Sequence, residues 1–400
     1  MGLTLMFIVL AIALVAGVPV AIALAGASLV YILIDGVPQV VLIHNMVNGV
    51  DSFPLLAVPF FVLAGHLMNT AGITNKIFTF ARALVGWMHG GLGTIEIKAM
   101  RDAGYDTDFS VGITAASSTI GPIIPPSLPL VIYGVMASAS VGELFAAGII
   151  PGLLMAFSLM VMVAWYARRR NYPRDASFEL LRLWTSFKQA FFPLLTPVII
   201  IGGIVTGAFT PTESAVAAVT YALFLGLFVY RTLTWRHIVR VSMDTIETSA
   251  SILLIVAAAA IFAWVLTANQ VADLLGAYLL SISENPQVLL AIITVLVLLV
   301  GLFMETIAAI TILVPVLLPI ANTVGIDPVH LGIIVILNLM LGLLTPPVGM
   351  VLYVLSQVSG VKFERCVTAT MPFLVPLVLV LLVVTFVPEF SLWLPTLIYR

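Results

Sequence analysis

Ten apolar segments follow one another along this chain, at about 3–34, 53–70, 109–137, 143–166, 191–208, 214–230, 241–267, 288–320, 330–357 and 368–395. Many of them meet or approach the ~20 residues that a helix needs to cross ~30 Å of hydrocarbon. With 62% hydrophobic and 8% charged residues, the chain cannot wrap a core in a water-facing surface. The expected fold class is therefore an all-α polytopic membrane protein with nine crossings and one segment set apart. That segment is 288–320, where Glu305 lies mid-run and Pro315 and Pro319 follow, a pattern suited to a re-entrant hairpin. Residues 1–34 lack a Lys/Arg-rich head and stay apolar beyond the length of a secretory core, so they read as a retained membrane helix.

Basic residues orient the chain. Lys76, Arg82, Lys98 and Arg101 form one group, Arg168 to Arg170 with Arg174, Arg182 and Lys188 a second, and Arg231, Arg236, Arg240, Lys362 and Arg365 a third, with Arg400 the only basic residue assigned to the opposite side. The loops near 35–50, 138–142, 208–213, 268–287 and 321–329 contain neither Lys nor Arg, so two kinds of loop alternate. The basic loops should be cytoplasmic, which puts the N-terminus in the cytoplasm and the C-terminus in the periplasm of a bacterial inner membrane. The net charge of -2 gives no reason to expect nucleic acid. The single Cys366 permits no internal disulfide, zinc cluster or cysteine redox pair. The polar interval 167–190 reads as a cytoplasmic linker between an N-terminal half, 1–166, and a C-terminal half, 191–400. Its charges suit a solvated loop or, less simply, a lipid headgroup site.

Function is written in a repeat. GYDTDFSVGITAASSTIGPIIPPSLP from Gly104 and GIDPVHLGIIVILNLMLGLLTPPVGM from Gly325 align without gaps at a shift of 221. The shift carries Asp106 onto Asp327, Gly121 onto Gly342, Pro125 onto Pro346 and Pro126 onto Pro347. Loop charges put the first copy (104–137) and the second (325–357) in opposite directions across the membrane, an inverted repeat. Paired prolines remove backbone donors and disfavour helix before them, and the glycines permit unusual dihedrals, so each helix should break at mid-membrane. Broken ends leave carbonyls for a small cation and amides for a carboxylate. Ser117, Ser118, Thr119 and Ser127 add oxygens at the first break, Asn338 and Thr345 at the second. A single such motif could equally be a packed kink; an inverted pair favours an ion or substrate site. Glu305 either takes part in that site or caps the hairpin tip with its carboxylate. Asp244 and Glu247 suit an interface or a helix-dipole contact, and His66 and His89 lack partners at metal spacing. No H-E-x-x-H or triad-forming G-x-S-x-G supports an intramembrane enzyme.

Longer stretches carry a family resemblance: PFFVLAGHLMNTAGIT from Pro59, the run from Ile95 through IPPSLPLVIYG, FTPTESAVAAVTYAL from Phe209, METIAAIT and GLLTPPVGM. Nearly the whole chain resembles the large membrane subunit of tripartite ATP-independent periplasmic (TRAP) transporters, DctM-like. The resemblance implies an elevator-type secondary transporter with the architecture of the ion-transporter superfamily. It implies sodium as the coupling ion, no other cofactor or transition metal, and import of organic anions such as C4-dicarboxylates, sugar acids or sialic acids. The implied partners, besides membrane lipid, are a small four-helix membrane subunit and a periplasmic substrate-binding protein. Sodium and substrate would be held by Ser117, Ser118, Thr119, Gly121, Pro125, Pro126 and Ser127 in one half. Glu305, Thr306, Asn338, Gly342, Thr345, Pro346, Pro347 and Gly349 would hold them in the other.

One departure is internal to the repeat. Subtracting 221 from Met304-Glu305-Thr306 lands on Ala83-Leu84-Val85, which is no hairpin tip. Upstream, LAGHLMN from Leu63 matches FAWVLTA from Phe262 at a shift of 199, so the first half is shorter by 22 residues. The first hairpin is expected to be deleted between Leu92 and Gly93, which leaves a deletion variant whose first sodium site lacks its tip.

Overall fold

The computed structural model describes residues 2–85, 100, 105–170, 180–283 and 285–399. The expected deletion at Leu92–Gly93, His89, Lys98, Arg101 and Arg174 lie outside the described residues. All regular structure among the described residues is helical. Among the described residues, seven helices are long and apolar enough to cross a membrane, and six shorter apolar helices accompany them.

Helix starts follow local chemistry. Ser140, Asn285 and Asp327 each accept a hydrogen bond from a backbone N–H of the first turn. Thr210 and Glu213 form a reciprocal capping box. The N-terminal region departs from the expected single span. It forms α1 (Gly2–Val15) and α2 (Val20–Ile34), packed on each other, because Gly17 turns the chain at φ +77° and Pro19 has no N–H to continue the first helix. The 35–50 loop contains a helix, α3 (Val40–Val50). After α4 (Ala57–Thr70) and α5 (Ile73–Val85) comes the first broken module, α6 (Thr107–Ser118) and α7 (Leu128–Met136), then α8 (Val141–Arg169).

Helix α9 (Leu180–Val205) begins inside the stretch read as linker. It is followed by α10 (Pro211–Phe224), α11 (Trp235–Ala268) and α12 (Val271–Ile282), the last within a stretch read as loop. The 288–320 segment is a helix, a break and a helix: α13 (Pro286–Gly301) and α14 (Thr306–Thr323). The second module is α15 (Pro328–Gly342) and α16 (Met350–Ser359), and the chain closes with α17 (Phe363–Phe386) and α18 (Glu389–Tyr399). The apolar run 368–395 is divided there at Val387–Pro388.

The halves interlock through their modules. Helix α6 packs on α17 and α8, while α15 packs on α8 and α17. Gly112 brings α6 onto the backbone of α17, where an added Cβ would lie 2.2 Å from the Ala369 carbonyl oxygen. Tyr133, buried in α7, donates a 2.6 Å hydrogen bond to the Pro328 carbonyl at the start of α15. Gly332 makes room for that ring, since an added Cβ would lie 2.4 Å from it. Tyr133→Phe should therefore cost about 1–2 kcal/mol of stability, read as a lowered melting temperature.

Candidate functional site

Both modules break where the prolines stand. Pro125-Pro126 and Pro346-Pro347 are each joined by a cis peptide, and each pair separates two helices of its module. Asp106 and Asp327 occupy the N-cap positions of α6 and α15. Around Asp106, Arg170 approaches to 2.9 Å, and Arg365 meets nearby Asp108 at 2.6 Å, so members of two of the three basic groups gather at one end of the first module. At the corresponding end of α15, buried His330 contacts Ser391 of α18 at 2.7 Å.

At the first break, Ser117, Ser118 and Thr119 direct their hydroxyl hydrogens to the carbonyls of Thr114, Ala115 and Ala116. Each oxygen keeps lone pairs for another donor or a cation. Ser127 caps α7 by accepting from Leu130 N–H at 3.3 Å and donates to the Pro122 carbonyl. Gly121 lies in the turn between these groups.

At the second break, Gly342 meets Gly301 backbone to backbone: a Cβ on Gly342 would lie 2.5 Å from the Gly301 carbonyl carbon. This contact fastens the end of α13 to the end of α15. Four residues past Gly301, Glu305 Oε2 accepts from Ile307 N–H at 2.9 Å and Ala308 N–H at 3.1 Å, capping the buried start of α14. Thr345 donates to Leu341, and Gly349, at φ +57°, starts α16. Buried Asn338 donates to the Ile334 carbonyl at 2.8 Å, but among the described residues its Oδ1 has no partner, nor has Oγ1 of buried Thr306. Two orphaned buried oxygens suit a hard cation, which takes oxygen ligands.

A cavity of about 420 Å³ joins the modules, lined by Thr114, Ser118, Glu305, Leu343, Met350, Val351, Val354 and Leu355. It brings Ser118 of the first break to Glu305 of the second half. Ser127 and Asn338 are buried and do not line it. Thr114 escaped the sequence reading although it stands one helical turn before Ser118, a signal available at i, i+4. The apolar lining had no signal, because cavity-facing and lipid-facing residues share a composition.

A helical membrane protein with two opposed broken modules meeting at a shared cavity is the architecture of a secondary carrier. The chain belongs to the family described as "Tripartite ATP-independent periplasmic transporter, DctM component", whose sequence profile matches residues 7–99 and 92–390. The large permease protein of the sialic acid TRAP transporter from Vibrio cholerae is 46% identical over 410 aligned positions, covering 96% of each chain. That of the 2,3-diketo-L-gulonate transporter from Escherichia coli K12 is 37% identical, covering 93% of this chain and 94% of its own. The C4-dicarboxylate counterpart from Pseudomonas aeruginosa is 38% identical, covering 86% and 87%. Since 96% of 400 residues is about 384, roughly 26 of the 410 positions aligned with the Vibrio protein hold no residue of this chain. The two profile matches meet at 92–99, around the expected truncation.

Proposed function

We propose that this chain is the large permease of a TRAP system that imports a carboxylate-bearing organic anion by sodium coupling. It takes the anion from a periplasmic binding protein and is supported by a small membrane subunit. The observation that carries the reading is the cavity that puts Ser118 beside Glu305, between two oppositely directed breaks. In this reading Asn338 and Thr306 present their orphaned oxygens to sodium. The Ser117–Thr119 hydroxyls and the helix ends around Pro125, Pro126, Pro346 and Pro347 complete the ion and substrate contacts. One module bundle moves against the rest of the helices, elevator fashion, with the basic loops on the cytoplasmic side.

The 46% identity to a sialic acid permease makes sialic acid the first substrate to test. Proteoliposomes holding the chain, its small subunit and its binding protein should accumulate sialic acid when sodium is outside, and fail to do so when choline replaces it. Uptake indifferent to sodium would reject coupling. A second reading is favoured by the positions missing against relatives: a transport-incompetent variant that keeps its scaffold and partner contacts. No uptake until a hairpin segment is inserted between Leu92 and Gly93 would select that reading.

A further inference from the structure

The shift of 221 that pairs the modules sets His330 of α15 on Phe109 of α6. Both rings are buried, at 2% and 3% exposure, and both turn to α17. Phe109 meets Phe373 there at 5.8 Å between ring centroids, and His330 faces the Thr385 backbone. A phenyl ring therefore satisfies the packing in one copy of the fold, and the two ring nitrogens are an addition made only in the other.

Those nitrogens sit in a polar cluster. Nδ1 of His330 lies 2.7 Å from Ser391 Oγ on α18. Because that hydroxyl donates its hydrogen to the Pro388 carbonyl at 3.0 Å, Nδ1–H is assigned as the donor in the short contact, and Nε2 carries a lone pair. Nε2 and the Thr385 hydroxyl oxygen are both buried and lack a well-formed hydrogen bond among the described residues. The far end of α18 is held by other elements. Tyr399 donates to the Ile204 carbonyl of α9 at 3.4 Å, and Gly142 of α8 leaves room for it, since an added Cβ would lie 2.8 Å from the phenol oxygen. Helix α9 packs mainly on α5 and α10, so α18 is a strap from the second module to a different part of the molecule.

We propose that His330 and Ser391 form a proton-operated latch, which holds α18 on the second module while the imidazole is neutral and lets it go when the ring is protonated. The proton can add only at Nε2. There it meets Thr385 in a site closed to water, where a charge is costly unless it is paired and hydrogen-bonded. The titratable groups around the ring do not supply that pairing. Asp327, one turn back on α15, accepts from the Val329 N–H at 2.8 Å, and Glu389 at the start of α18 is exposed. Tyr133 of α7 is a neutral donor to Pro328, α17 carries no titratable group within a turn of Thr385, and Glu143 of α8 lies beside Gly142 at the Tyr399 end. Water thus offers the imidazolium more than the site does. A freed imidazole takes up its proton near pH ~6.5, so the latch holds above that pH and weakens below it, by up to about tenfold per pH unit for one proton bound on opening. The inference holds whichever substrate or ion the transporter uses.

The test follows backbone amide exchange of the full chain in lipid nanodiscs by mass spectrometry, corrected for the intrinsic pH dependence of exchange. Between pH 6.5 and 5.5 the protection of Glu389–Tyr399 should fall about tenfold. The α11 stretch 255–266, which carries no titratable side chain, should stay constant. His330→Gln keeps a hydrogen-bonding amide and His330→Phe copies the counterpart ring; both lack the titrating nitrogen. Each should show α18 protection that does not change with pH, whatever its level. Glu389→Gln, which removes the only side-chain carboxylate of α18, should keep the fall seen in the parent. Four results would overturn the proposal: parent protection indifferent to pH, a fall of the same size in either histidine variant, a fall abolished by Glu389→Gln, or loss of protection in 255–266 in step with α18.

Discussion

Gly342→Leu is expected to abolish the folded protein, whereas Gly121→Leu, at the equivalent place in the other half, is expected to change stability by less than about 0.5 kcal/mol. Forcing even a methyl group into a packed contact costs about 1–3 kcal/mol when side chains can yield. At Gly342 the obstacle is the backbone of Gly301, at 2.5 Å, which cannot rotate aside, and leucine adds three further carbons. At Gly121 the space is open. Yield of monodisperse protein and melting temperature in detergent measure both. Equal loss from the two substitutions would show that the glycines serve their own turns, not a contact that only one half completes.

The second large effect is expected at Glu305. Replacement by alanine leaves the Ile307 and Ala308 N–H groups without their acceptor and should cost about 1–2 kcal/mol, as for loss of a helix cap. Glutamine keeps an oxygen for both donors, so Glu305→Gln should melt within a degree or two of the parent. If the carboxylate also balances a bound cation, the two variants diverge on adding sodium. The parent should be stabilised as RT ln(1 + [Na⁺]/Kd), about 2.7 kcal/mol at a hundredfold excess over Kd. Glu305→Gln should show no such gain. A sodium-induced shift as large in Glu305→Gln as in the parent would confine the carboxylate to capping. This readout needs no transport, so it applies whether or not the chain moves substrate.

Much of the framework was legible because the bilayer imposes it. Apolar length marks the long helices, and Gly and Pro at fixed spacing mark the two breaks, since both residues change what the backbone itself can do. The missed boundaries lie where apolar composition runs on through a break. Gly17 and Pro19 divide α1 from α2 with no polar residue between them, and Val387-Pro388 separates α17 from α18 in the same way. The short helices α3 and α12 were hidden because the absence of basic residues speaks of topology and not of conformation.

At the site, residue types pointed to Ser118 and Glu305, but sequence spacing could not say that they share a cavity, because their meeting depends on how two distant modules pack. Nor could composition distinguish buried Ile132 from exposed Tyr353, its counterpart. The repeat alignment supplied the pairing, and the packing of α14 over α7 and α15, with no counterpart among the described residues over α16 and α6, supplied the difference.

The central claim is that one module runs inward to outward and its copy outward to inward. Single cysteines at Arg168, beside the Asp106 end of the first module, and at Asn322, beside the Asp327 end of the second, report the two ends directly. Both side chains are exposed, and the native Cys366 is buried and replaced by alanine. In spheroplasts treated with a membrane-impermeant maleimide, Asn322→Cys should be labelled at once and Arg168→Cys only after permeabilisation. Labelling of both residues from the same side of the membrane would contradict the inverted repeat.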